Sequence, residues 1–144
     1  MTETEFLALL NSAPVIDGQI VEMLDDPRLI RVREDLRAVI RGEADAVGLS
    51  RHLRHARLRP AVTADGVAWE LDAPPQDRGA AEAVLAWARV QEQLPGRLRA
   101  CANPECRKFL IDHSKPNSAR WCSMATCGNR MKARRHYARR LAEG

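Results

Sequence analysis

Residues 101–127 read CANPECRKFLIDHSKPNSARWCSMATC, and this stretch decides how the end of the chain folds. It holds all four cysteines of the 144-residue protein, spaced as C-x4-C-x15-C-x4-C. Two close pairs separated by a short loop are typical of a structural zinc site, in which each pair supplies two thiolates to one tetrahedral ion. The sequence therefore predicts that Zn²⁺ is held by Cys101, Cys106, Cys122 and Cys127.

The same cysteines have two interpretations without a metal, namely two disulfides or four unrelated buried thiols. The chain begins MTETEFLALL, with acids where a secretory signal peptide would carry positive charge, so we expect a cytoplasmic protein. A reducing cytoplasm disfavours disulfides. No apolar run approaches the roughly 18 residues that cross a membrane, so we expect no membrane partner.

Few apolar side chains lie between the first and the last cysteine. Apart from alanines, they are Phe109, Leu110, Ile111, Trp121 and Met124. They are too few for a self-standing core of about forty residues, and a metal would compensate because its binding free energy becomes folding free energy. Four thiolates leave no open position for water on the metal, and no catalytic constellation is evident elsewhere, so we expect no enzyme activity.

Charge is distributed unevenly along the chain, whose net charge is +4. From Arg97 onward, twelve Lys and Arg residues stand against three acids, whereas the first 96 residues hold eleven bases and sixteen acids. The change coincides with the Pro95-Gly96 break. We predict an N-terminal helical domain over residues 1–96 and a four-cysteine zinc finger over residues 97–144.

Local patterns predict the form of the finger. Residues 107–121 (RKFLIDHSKPNSARW) show two short apolar runs around a Pro-Asn-Ser turn, which predicts a β-hairpin. Residues 128–142 contain good helix formers and no breaker, which predicts a helix whose N-terminus favours a thiolate at Cys127. A cysteine pair, a hairpin and a second pair at the start of a helix are typical of a treble-clef module.

The predicted helix over residues 128–142 is strongly basic. Apolar residues fall on one side of it, at Met131, Ala138, Leu141 and Ala142. Lys and Arg neutralise phosphates and Arg also reads guanine edges, so we expect the basic side to bind DNA, although a merely solvated face has the same pattern. The predicted nucleic-acid contacts are Arg120, Arg130, Lys132, Arg134, Arg135, Arg139 and Arg140.

Residues 101–140, with their four cysteines, the FLID and RWCSM stretches and the basic helix, resemble the CGNR zinc-finger family, named for the Cys-Gly-Asn-Arg found here at 127–130. Members of that family typically carry an N-terminal helical region described as a stress-induced transcription regulator domain, and FLALLNSAPVIDG at residues 6–18 resembles its start. The resemblance implies a bacterial transcription factor that binds DNA through the finger.

The N-terminal region is predicted to be helical with one hairpin. Helices are expected over residues 3–10, 17–24 (capped by Asp17), 28–41, 45–58 and 79–94. The hairpin lies within 59–72, where the strands PAVTA and VAWEL meet at Asp65-Gly66. The fold class is therefore mainly α with a small β-hairpin, an α+β fold, followed by the treble-clef-like finger.

Periodicity also predicts which side chains of the N-terminal region face inward. On the helix over 28–41 these are Leu29, Val32, Leu36, Val39 and Ile40, with arginines and acids opposite. On the last helix they are Ala81, Val84, Leu85 and Ala88. Trp69 and Trp87 are expected in the core, and His52 and His55 on the surface.

Three functions fit these features. The first is a transcription regulator that binds DNA through the basic helix and forms a homodimer or senses a signal through residues 1–96. The second is an adaptor whose basic helix meets an acidic protein partner of an enzyme or assembly. The third is a thiol- or metal-dependent enzyme or a redox switch, and the switch would release Zn²⁺ on cysteine oxidation. Basic zinc modules also bind RNA.

Overall fold

The computed structural model describes residues 1–144 as a mixture of helices and three small antiparallel hairpins, which confirms this much of the predicted α+β class. The helices are α1 (Glu3–Leu10), α2 (Pro27–Ile40), α3 (Pro75–Gln93) and α4 (Asn129–Glu143), with a 3₁₀ helix at Ala46–Leu53 and a π-helical turn at Met124–Gly128. The hairpins pair β1 (Val15–Ile16) with β2 (Gln19–Ile20), β3 (Arg57–Thr63) with β4 (Gly66–Asp72), and β5 (Leu98–Ala100) with β6 (Phe109–Ile111). None of the helices combines the length and apolar character needed to cross a membrane.

Helices α1, α2 and α3 pack around one hydrophobic core. α1 begins with a capping box between Thr2 and Glu5, and α2 begins at Pro27 after the N-cap residue Asp26, so both helix starts follow from local sequence. The apolar faces of the helices and of the 3₁₀ helix then meet in the core. Its buried members include Phe6, Leu10, Val32, Leu36, Leu49, Val84 and Val90.

The hairpin β5–β6 also contributes side chains to this core. Its strand β5 precedes the first cysteine pair and its strand β6 follows that pair. Leu98 and Phe109 belong to the same buried cluster as the helical residues. The Asn11 side chain, at the end of α1, acts as a partner for β6: the N–H of Phe109 donates to Asn11 Oδ1 at 2.7 Å, and Asn11 Nδ2 donates to the carbonyl of Phe109 at 3.2 Å. Contacts therefore cross the predicted boundary at 96/97, and the division into two domains stays a prediction.

Two arginines of α2 are buried, whereas the sequence predicted that the arginines of this helix face outward. Arg33 is 2% exposed and donates to both carboxylate oxygens of Glu22, at 2.7 and 2.6 Å. Arg37 is 1% exposed, donates to the carbonyl of Arg107 at 2.6 Å, and lies 5.5 Å from the centroid of the Phe109 ring. These partners compensate the buried charges and attach α2 to the cysteine-bearing hairpin.

Three of the predicted helices differ from the structure. Residues 17–24 form no helix, because Asp17 (φ 52°) and Gly18 (φ 76°) make the turn of β1–β2, and an Asp-Gly pair tolerates this left-handed backbone. The helix predicted over 45–58 is a 3₁₀ helix that ends at Leu53, because the chain enters β3 at Arg57. α3 begins at Pro75, earlier than predicted, since proline suits the first turn of a helix.

Two of the predicted hairpins are also corrected. Within residues 107–121 only Phe109–Ile111 forms a strand. It pairs with β5, which lies before the first cysteine pair, and not with the residues that follow the Pro-Asn-Ser turn. In β3–β4 the loop is Ala64-Asp65, one residue earlier than predicted, and Gly66 pairs with Thr63.

The predicted burial of side chains holds in most positions and fails at three. Val32 and Leu36 are buried as predicted, and Trp87 packs against the core. Trp69 is 65% exposed and Ala88 faces solvent, so neither belongs to the core. The third failure is His52, which was predicted on the surface but has a side chain that is 8% exposed and contacts Asp35.

The ion pair between Arg33 and Glu22 makes stability depend on pH. Hydrogen bonding to Arg33 lowers the pKa of Glu22 from 4.5 to about 2, so the pair stabilises the fold fully above pH 4.5 and is lost as the pH falls towards 2. We expect Glu22→Gln to lower the free energy of unfolding by about 1–2 kcal/mol at pH 7, a modest value because Glu22 is partly exposed. Denaturant melts between pH 7 and pH 3 measure this effect. The matched control is Glu43→Gln, since Glu43 is exposed and forms no ion pair; equal stability of the two variants would contradict the role of Glu22.

Candidate metal centre

The turn of β5–β6 and the π-helical turn bring the four predicted cysteines together. All four are free thiols, and their sulfur atoms lie within 4.8 Å of one another. The Sγ of Cys122 is 3.7 Å from that of Cys106 and 3.6 Å from that of Cys127. A tetrahedral site with metal–sulfur bonds of about 2.3 Å separates its sulfurs by about 3.8 Å. The cluster therefore has the donor set and the spacing of a four-thiolate Zn²⁺ site.

Hydrogen-bond donors surround the sulfurs and fix their positions. The backbone N–H groups of Lys108 and Cys122 donate to the sulfurs of Cys106 and Cys101, at 3.4 and 3.3 Å. The buried Asn103 side chain donates from Nδ2 to Cys127 Sγ at 3.4 Å. Donors of this kind orient metal ligands and stabilise negative charge on sulfur, so they suit thiolates better than neutral thiols.

The thiols differ in how easily they ionise. Burial and the neighbouring sulfurs raise the pKa of Cys122 and of Cys106 above the usual thiol range. Burial opposes ionisation of Cys127 as well, but the hydrogen bonds from Asn103 and the other cysteines outweigh it and lower the pKa of Cys127 to about 7. Four thiolates at this separation would repel one another unless a cation lay between them. A divalent ion would supply that positive charge and would deprotonate the thiols that coordinate it.

Gly128, the residue after the last cysteine, is required by close packing and not by backbone conformation. Its φ is −60°, which any residue adopts. A Cβ at this position would lie 2.6 Å from Met124 Sδ and 3.1 Å from Trp121 Cδ1. The absence of a side chain at this position therefore lets the start of α4 lie against the tryptophan.

The loop between the cysteine pairs is organised by Asp112. This side chain is 3% exposed and accepts hydrogen bonds from the N–H and the hydroxyl of Ser114, at 2.8 and 2.6 Å, and from the N–H of Ala119 at 2.8 Å. The hydrogen bonds from Ser114 are the main reason that the pKa of Asp112 is lowered to about 2. The loop thus returns the chain to the second cysteine pair without a second strand.

Sequence analysis did not identify Asn103 or Asp112 as site residues. Both positions carry a recognisable signal, since Asn103 precedes a proline inside the first cysteine pair and Asp112 stands two residues before a serine. Each side chain accepts from the backbone N–H two residues later, at Glu105 (3.1 Å) and Ser114 (2.8 Å). This is the Asx turn, in which the side chain replaces a backbone partner.

Six of the seven predicted nucleic-acid contacts lie on α4, which has no buried residue. Arg134 is paired with Glu105 at 2.8 Å. Arg120 and Arg135 lie 5.2 and 6.0 Å from the centroid of the Trp121 ring, within cation–π range. The remaining four form no ion pair; they are Arg130, Lys132, Arg139 and Arg140.

The four-sulfur cluster and its neighbouring helix define this part of the chain as a zinc-finger module. Residues 97–140 match the sequence model of the CGNR zinc finger. This match confirms the resemblance over the cysteines and most of α4. It begins at residue 97 and does not include the N-terminal helices. The chain shows no significant match to a curated protein.

Removal of the metal should affect α4 more than the core. A helix of 15 residues with no buried side chain is marginal in water, so its order depends on the cluster at its start. We expect chelation under reducing conditions to remove the helical circular dichroism of roughly these residues, while α1–α3 and β5–β6 keep a cooperative thermal transition. An unchanged helical signal in the metal-free protein would contradict this dependence.

The hydrogen bond from Asn103 to Cys127 predicts the effect of an isosteric change. Asn103→Asp places a carboxylate beside the thiolates and should weaken Zn²⁺ binding at least about tenfold, as is common for outer ligand partners. Competition with a chromogenic chelator measures the affinity. Asn103→Ala is the control, since it removes the donor without adding charge, and we expect a smaller loss. Wild-type affinity in Asn103→Asp would show that the contact does not matter for the metal.

Proposed function

We propose that the protein is a Zn²⁺-dependent DNA-binding regulator and that α4 is the element that meets DNA. The proposal includes a treble-clef arrangement of the finger. Two features support it: the hairpin β5–β6 carries the first cysteine pair in its turn, and the second cysteine pair lies just before α4. In this proposal Zn²⁺ has a structural role and the protein is not an enzyme, because four thiolates fill the coordination of the ion.

The observation that carries this proposal is the unpaired positive charge on a helix with no buried side chain. A charged helix that packs on its own protein normally pairs its cations with acids, and here only Arg134 has such a partner. α4 is about 22 Å long and projects from the metal cluster. A helix of this size fits the major groove, and its unpaired Arg and Lys residues can neutralise phosphates on either side of it.

The fixed start of α4 supports the same proposal. Gly128 packs against Trp121, and Arg135 lies over the same ring, so the direction of the helix is set by contacts at its N-terminal half. Arg139 and Arg140 lie in the second half, where both are exposed and form no ion pair. A helix held at one end and charged at the other can enter a groove without distorting the core.

Salt dependence of binding tests this proposal. If about six phosphates are neutralised, the slope of log affinity against log salt for a mixed-sequence duplex should be near −5. Arg130→Ala/Lys132→Ala/Arg139→Ala should reduce the magnitude of the slope by roughly 2–3, since each lost phosphate contact contributes about 0.9. Fluorescence anisotropy at several salt concentrations measures both values.

A charge-matched control distinguishes α4 from general positive charge. Arg31, Arg54 and Arg57 are exposed, form no ion pair and lie outside the finger. Their triple replacement by alanine removes the same charge and should leave the slope nearly unchanged. An equal loss in both triple variants, or a slope near zero for the wild type, would refute the proposal.

One observation favours a second candidate, an adaptor that binds an acidic protein. Tyr137 and Leu141 are 66% and 65% exposed on α4, and a helix that carries both cations and apolar side chains can also dock into a protein groove. Replacing Tyr137 and Leu141 by serine separates the two functions. Such a variant should keep its affinity for DNA if the phosphates dominate, and should lose an acidic protein partner if the apolar contacts dominate.

A further inference from the structure

The hairpin β3–β4 has one face made entirely of apolar side chains. In an antiparallel pair, directly opposite residues point to the same face, and successive pairs alternate between faces. The register places three apolar pairs on one face: Leu58 with Leu71, Pro60 with Trp69, and Val62 with Val67. The other face carries the pairs Arg57–Asp72, Arg59–Glu70, Ala61–Ala68 and Thr63–Gly66.

Most of the apolar face is not covered by the rest of the chain; only Leu71, at the end nearest α3, is half-buried. Neither the buried core cluster nor the partly buried side chains packed against it include any residue of β3 or β4. Val62 is 88% exposed, Trp69 65%, Val67 62% and Leu58 47%. An isolated two-stranded hairpin is at best marginally stable in water, so a hairpin with seven residues in each strand and one open apolar face needs a surface to pack on.

The size of this face is close to what a small protein interface requires. With roughly 200 Å² for a Trp side chain and roughly 150 Å² for a Val or Leu, the four exposed residues and Pro60 present about 500 Å² of apolar surface. Two such faces packed together would bury about 1,000 Å², the lower limit for a specific interface.

The charges of the hairpin restrict what can cover it. Arg57 and Arg59 are balanced by Glu70 and Asp72, and the loop adds Asp65, so residues 57–72 have a net charge of −1. Phosphate groups of nucleic acids or anionic lipids are attracted by net positive charge, which this segment lacks. A two-fold interface, in contrast, brings a surface against its own copy and only requires that the surface be apolar and free of strong net charge.

We propose that this apolar face is a homodimer interface, in which the β3–β4 hairpins of two copies of the chain pack face to face as two layers. Trp69 and Pro60 form the middle pair of the contact, Val62 and Val67 lie beside them towards the turn, and the charged pairs of the opposite face remain in solvent. Packing of two sheets about 10 Å apart is the usual arrangement for such surfaces. The proposal does not depend on DNA binding, although a dimer would present two copies of α4 related by a two-fold axis.

The oligomeric state of the full-length, Zn²⁺-loaded protein tests the proposal. Sedimentation equilibrium should give twice the chain mass of 16.1 kDa at micromolar concentration. Val62→Glu introduces two carboxylates into the contact, one from each copy, and should weaken dimerisation at least about 100-fold. The emission of Trp69 should shift to the red on dissociation, because the indole returns to solvent.

The matched control is Val47→Glu, which makes the same change at a residue that is 76% exposed on the 3₁₀ helix, away from the hairpin. This variant should remain dimeric. Trp69→Thr is a second interface variant, and unchanged Zn²⁺ content and helical circular dichroism would show that each variant is folded. A wild type that is monomeric up to about 100 µM, a dimer insensitive to Val62→Glu and Trp69→Thr, or a monomer that binds vesicles through this face would each overturn the proposal.

Discussion

Four cysteine sulfurs within 4.8 Å of one another impose the main electrostatic constraint on this protein. Thiolates at this distance repel one another unless a cation lies between them. The N–H donors of Lys108, Cys122 and the Asn103 side chain form stronger hydrogen bonds with thiolates than with neutral thiols. The segment that carries them has few apolar residues of its own. Its order therefore has two sources, the four-sulfur cluster, which fits a metal ion, and the contacts with the helical core.

The second support is built from polar groups as much as from apolar ones. Asn11 holds β6 through both backbone groups of Phe109, and Arg37 reaches the carbonyl of Arg107 from within α2. Leu98 and Phe109 then complete the core beneath these hydrogen bonds. Because these contacts are directional, they set the orientation of the hairpin relative to the helices, which an apolar contact alone would leave less defined.

Sequence patterns predicted the features that depend on local spacing. The cysteine set, the basic helix, α1, α2 and the β3–β4 hairpin all follow from short-range patterns, and the match to the CGNR zinc finger confirms the first of these. The missed turn at Asp17-Gly18 and the earlier start of α3 at Pro75 have local causes, whereas the other main failures depend on contacts distant in sequence. Arg33 and Arg37 border the apolar face of α2, and their charge was the reason to predict them in solvent, yet Glu22 and Arg107 make their burial favourable. β6 pairs with β5, before the first cysteine, and not with the segment after it, a choice that local propensity does not specify.

The absence of buried side chains on α4 has a consequence for how such a protein can change over evolutionary time. Substitutions in a packed helix usually cost stability, so new specificity must be acquired together with compensating changes. Beyond Gly128 and the arginine that lies over Trp121, the side chains of α4 carry little of the folding energy, and the helix can vary its surface almost independently of the rest of the molecule. The four-sulfur cluster thus separates the part of the sequence that must be kept for folding from the part that is free to diverge.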